Sequence, residues 1–146
     1  MLTDILNAFK LPKPSALRTD DAQLAMAALL VRIARSDQDY DQVEKDMIIQ
    51  LLQTRFKLEE TSATSLRAQA EALEAKAPDT VRFTKLIKET VPYEDRQSVV
   101  ADLWAIVLSD DARDAEENAM MRMTANLLGV NDRDSALARQ TIENAK

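Results

Sequence analysis

Twice in this chain, 73 positions apart, an apolar run at helical spacing meets a cluster of acids and continues into a second apolar run. The register pairs Ala28 with Ala101, Leu30 with Leu103, Ile33 with Ile106, Ser36 with Ser109, Asp37 with Asp110, Asp41 with Asp114, Glu44 with Glu117 and Met47 with Met120. Beyond Met47 an offset of 72 fits the apolar stripe better, joining Leu51 to Met123, Phe56 to Leu128 and Leu58 to Val130, so one residue is inserted in the first copy and the counterpart of Glu44 is either Glu116 or Glu117. A unit of helix, acidic corner and helix cannot bury its apolar face alone. Two of them sharing one core is the economical solution.

The periodicity inside each copy is helical. Leu24, Ala27, Ala28, Val31 and Ala34 recur at spacings of three and four, as do Met47, Ile48, Leu51, Leu52 and Phe56, and later Val99, Val100, Leu103, Trp104 and Val107. One Gly, four Pro and six aromatics in 146 residues leave little material for strands or tight turns, while Ala, Leu, Glu, Gln, Met and Arg lose little rotamer freedom on a helix. The expected fold is all-α, about seven helices in a bundle of two related hairpins. Residues 1–18 are expected as a short amphipathic helix bearing Leu2, Ile5, Leu6 and Phe9, followed by the Pro-containing linker KLPKPS. Residues 19–146 form the helical domain, its repeat running over about 22–74 and 95–145. Between the copies, VRFTKLIKETV predicts a short helix that buries Phe83, Leu86 and Ile87 and turns Arg82, Lys85 and Lys88 to water. Trp104 and the Met120, Met121 and Met123 cluster are expected as core.

Cys and His are both absent, which removes thiol nucleophiles, disulfides, thiolate and imidazole metal sites and the usual titrating group near neutral pH. A net charge of −6 disfavours nonspecific nucleic-acid binding, which depends on Lys and Arg displacing counterions. No signal peptide and no apolar stretch of about 20 residues is visible, so no integral membrane segment and a cytoplasmic location are expected. The N-terminal arm is short enough that any contact with a membrane surface is weak, and it is expected instead to pack on the bundle or a second subunit.

The chemistry is concentrated at the corners. Asp37, Asp39, Asp41 and Glu44 give the first a charge of −4, and the stretch Asp110–Glu117, with Asp111, Asp114, Glu116 and Arg113, also sums to −4. The rest of the chain is therefore slightly positive, at +2. Helix capping explains two acids per copy: Asp41 and Glu44, and Asp114 and Glu117, have capping-box spacing, and acids in a first turn meet the positive end of the helix dipole. The surplus acids repel. Two carboxylates about 7 Å apart cost ~0.6 kcal/mol at water's dielectric and ~2 kcal/mol at an effective value of 20. A hard cation such as Ca²⁺ or Mg²⁺ relieves that repulsion, as does a basic partner, and a solvated capping face tolerates it. An EF-hand is ruled out, because the loop beginning at Asp37 has Gln42 where the glycine belongs and Ile48 where the bidentate Glu belongs.

The phrases ALLVRIARSDQDYDQVEKDMIIQLLQTRFKL, RFTKLIKE and LWAIVLSDDARDAEENAMMRMTANLLGV, in that order, resemble the tellurite-resistance TerB-like family, in its stand-alone uncharacterised branch, from about Asp20 to Gln140. That resemblance implies an all-α fold of about seven helices with internal duplication, and a divalent-metal-binding role in bacterial stress response. By position it carries Asp37 and Glu44 in one corner and Asp110 and Glu117 in the other. Gln38 and Asp111 replace the family's corner glycine, so any φ > 0 there falls on less tolerant residues. Without Cys or a cofactor loop the chain has no thiol route for reducing tellurite.

The expectation is a non-enzymatic sensor or adaptor with protein partners and no organic cofactor. It binds a divalent cation at Asp37, Asp39, Asp41, Glu44, Asp110, Asp111, Asp114 and Glu117. The alternatives are a metal-independent interaction module of the co-chaperone-associated type, recognising a basic partner, and an enzyme using the carboxylates as acids, bases or ligands of a hydrolytic metal.

Overall fold

The computed structural model describes residues 19–36, 40–77, 79–109 and 115–145. The N-terminal arm with Leu2, Ile5, Leu6 and Phe9 lies outside them. Among the described residues there are seven helices: α1 Thr19–Arg35, α2 Gln42–Phe56, α3 Glu60–Lys76, α4 Val81–Thr90, α5 Tyr93–Leu108, α6 Ala115–Leu127 and α7 Asp132–Asn144.

Two helices make the centre. In α1 every residue from Ala25 to Val31 is buried, and Ile33 and Ala34 extend the burial to the last turn. A helix apolar on all sides must be enclosed by neighbours, and α1 packs against α3, α4, α5 and α2. Its alanines keep those neighbours close. In α3 the two fully buried residues, Ala63 and Ala70, are also alanines, seven residues apart on one face. The second central helix, α5, buries Val99, Val100, Leu103, Trp104, Ile106 and Val107 and packs chiefly on α7 and α1. The short α4 buries Phe83, Thr84 and Ile87 and leaves Arg82, Lys85 and Lys88 exposed, as its pattern predicts, while Leu86 is only half-buried.

The two hairpins repeat one another in backbone detail. The helices that leave the acidic corners, α2 and α6, start 73 residues apart, and the following helices, α3 and α7, start 72 apart. Each hairpin turns on a left-handed residue, Lys57 (φ 56°) or Gly129 (φ 77°). In each, the next N–H reaches back five residues: Leu58 to the Gln53 carbonyl at 3.1 Å, and Val130 to that of Ala125 at 3.0 Å. These are the bonds of a Schellman-type C-cap, which satisfies carbonyls that the helix end leaves open. The core expectation needs one correction. Met121 is fully buried, but Met123 is 43% exposed.

The acidic corner as candidate functional site

The chain enters both corners in the same way. Ser36 donates its N–H (3.2 Å) and its hydroxyl (2.7 Å) to the Ile33 carbonyl. Ser109, 73 residues on, makes the same two bonds to Ile106, also at 3.2 and 2.7 Å. A serine that closes the last turn on its own carbonyl i−3 competes with continuation of the helix and helps to end it.

The first corner is pinned to α3 from both sides. Before it, Arg32 donates from Nε to Glu74 Oε2 (3.0 Å), from Nη2 to the Ala77 carbonyl (2.8 Å) and from Nη1 to Thr80 Oγ1 (3.2 Å), so one guanidinium ties α1 to the end of α3 and to the loop beyond. Arg35 pairs with the other oxygen of Glu74 at 2.5 Å. After it, the Tyr40 hydroxyl donates to Glu71 Oε2 at 2.5 Å, and the Arg35 and Lys45 cations lie over the Tyr40 ring at 5.2 and 5.1 Å. Burial, reinforced by the bond to Glu71, holds the Tyr40 phenol well above its ordinary value of 10. These anchors were not legible in the sequence, where their partners stand 31 to 48 residues away. The one available signal was that Arg35 precedes the acids and Tyr40 stands among them.

The capping box expected of DQVE is present. Asp41 is extended and exposed at the N-cap of α2. Its Oδ1 accepts the Glu44 N–H at 3.0 Å, and Glu44 Oε1 accepts the Asp41 N–H at 3.4 Å. Glu44 is only 1% exposed. A carboxylate buried at a helix N-terminus is stabilised by the dipole and by the backbone donors there. The structure thus brings together two of the eight candidate ligands. Asp37, Asp39, Asp110, Asp111 and Asp114 lie outside the described residues, as does the side chain of Glu117, whose backbone is in the first turn of α6. Among the described residues no three acidic side chains converge on a common point.

The donor set fits a hard cation better than a soft one, since the corner stretches offer carboxylate oxygen and neither thiolate nor imidazole. The cap takes one oxygen from Asp41 and one from Glu44, and an ionised carboxylate has about four lone-pair sites over its two oxygens. Capping and ligation are therefore compatible in one residue.

A seven-helix bundle with two equivalent hairpins, each turning on a left-handed residue and preceded in the chain by an acid-rich stretch, defines a class of duplicated all-α proteins. Within that class the chain belongs to the family described as tellurite resistance protein TerB, whose model matches residues 23–140 and so spans both hairpins. No curated protein and no solved structure matches the chain. No helix among the described residues is long and apolar enough to cross a membrane.

Proposed function

We propose that this protein is a non-enzymatic, cytoplasmic stress-response protein of the tellurite-resistance type. It binds a divalent cation, Ca²⁺ or Mg²⁺, at its acidic corners and acts on protein partners as a sensor or adaptor. The observation that carries this reading is the capped, clamped corner before α2. Asp41 and the buried Glu44 are locked together there, directly after Asp37 and Asp39 in the chain, on a base fastened to α3 by Arg32, Arg35 and Tyr40. The capping box holds Asp41 and Glu44 in fixed positions, and that lowers their ordering cost in ligation. The equivalent serine bonds at Ser36 and Ser109 support extending the reading to Asp110, Asp111, Asp114 and Glu117. The cation would supply charge neutralisation at the two corners. The chain supplies oxygen ligands and a frame that links corner to bundle.

Binding to the folded state alone adds about 2.7 kcal/mol at a hundredfold excess over Kd. Thermal melts and amide spectra with Ca²⁺, Mg²⁺ and Mn²⁺ should therefore show a stabilisation and localised shifts at the corners, both reduced in Asp37→Asn and Asp110→Asn. Unchanged melts and spectra at millimolar ion would sink the cation reading. Binding to a basic partner that falls steeply with added salt would then favour direct recognition by exposed charge.

A further inference from the structure

Away from the corners, α5, α6 and α7 border an open cleft of about 480 Å³. Its apolar part is formed by the Trp104 indole at one side and the exposed alanines Ala119 and Ala136 on α6 and α7. Arg122 and Arg139 line it with Ser135. The volume lies within the range of about 300–1,000 Å³ usual for small-molecule sites.

Three hydrogen-bonding groups here are not fully engaged by the protein. Ser135 is 7% exposed and accepts the Trp104 indole N–H at 3.0 Å, yet its own hydroxyl hydrogen finds no acceptor among the described residues. Because Ser135 lines the cleft, that hydrogen is available to an oxygen entering it, from water or from a ligand. Arg122 makes no ion pair and no hydrogen bond among the described residues. In a chain of net charge −6 whose Arg32, Arg35, Arg55, Arg67 and Arg139 all have carboxylate partners, that is a cation left available beside an apolar wall. Arg139 lies over the Trp104 ring at 5.2 Å and is held otherwise only by an exposed i,i+4 pair with Glu143 at 3.2 Å. Such a pair contributes little, so a better acceptor displaces it readily.

We propose that the Trp104 cleft is a binding site for a small organic monoanion, a carboxylate carried on a flat apolar body. The carboxylate is received by the Arg122 guanidinium, whose planar fork matches it, and by the Ser135 hydroxyl. The flat body lies along Trp104 between Ala119 and Ala136, and Arg139 covers it. Asp132, also in the lining, repels a second negative charge and selects against phosphate and dicarboxylates.

Trp104 is the chain's single tryptophan, so its fluorescence reads this cleft alone. Benzoate titrated into the full chain should change Trp104 emission saturably, whereas benzamide, its neutral counterpart, and inorganic phosphate should not. Arg122→Gln should weaken benzoate by about tenfold or more, the scale of one charge-assisted hydrogen bond. Ala119→Leu, which fills the cleft from an exposed helical position and leaves every charge in place, should abolish the response. Far-UV circular dichroism confirms that both variants fold. The proposal is overturned if wild-type protein gives no saturable change, if benzamide or phosphate matches benzoate, or if either variant titrates like wild type.

Discussion

Replacing Lys57 with glycine should stabilise this protein, and replacing Gly129 with alanine should destabilise it, although the two residues do the same job. Both sit just past a helix, at φ 56° and φ 77°, with the following N–H bonded five residues back. A residue with a Cβ adopts this left-handed conformation at a cost of about 1–2 kcal/mol. Glycine avoids that cost but loses about 0.4–1 kcal/mol more through the freedom of its unfolded chain. The difference leaves Lys57→Gly more stable than wild type by about 0.5–1 kcal/mol. The Lys57 side chain is exposed and forms no hydrogen bond or ion pair, so nothing else is lost. At Gly129 the sign reverses. A Cβ there would come 3.3 Å from Lys88 Cε, the yielding end of a flexible chain, so the backbone term dominates and Gly129→Ala should lose about 1 kcal/mol. Urea unfolding at neutral pH, followed by far-UV circular dichroism, resolves both changes, and a shift of ~1 kcal/mol moves Tm by about 3 °C in a chain of this size. Lys57→Gly falling below wild type, or Gly129→Ala matching it, would refute the claim that the two hairpins end on equivalent strained turns.

Asp102 bonds Arg55 at 2.5 Å between α5 and α2, yet burial outweighs that partner and holds its carboxyl above the ordinary 3.8. A carboxyl that binds its proton more tightly when folded contributes stability that declines as pH rises from 3.8 through the folded value. The stability of Asp102→Asn relative to wild type should therefore rise across that window in paired urea titrations, and a flat difference would contradict it. Tyr40→Phe removes the bond to Glu71 and should cost about 1.5–3 kcal/mol at neutral pH, the range for a hydrogen bond to a charged group. Because the folded phenol ionises above 10, the stabilisation is complete below that pH and is lost as pH climbs through the folded value, so the gap between wild type and Tyr40→Phe should close in strong alkali.

What the sequence determined by itself was the local content: where helices form, where they stop, and which faces are apolar. The Asp41–Glu44 cap was legible because a capping box involves only residues three apart, and the duplication was legible because apolar spacing and acids recur in register. The tertiary structure alone decided which distant groups meet. Arg32 and Arg35 on Glu74, Tyr40 on Glu71, Arg55 on Asp102 and Trp104 on Ser135 are separated by 31 to 47 residues, and no periodicity specifies such pairs. Trp104 shows the difference in one residue. Its spacing marked it as core, and it is 92% buried as expected for that role, but only the crossing of α5, α6 and α7 gives its indole a serine partner and an open cleft alongside. Burial follows from the free energy of removing apolar surface from water, which each residue carries with it. Pairing follows from geometry, which exists only once the helices have packed.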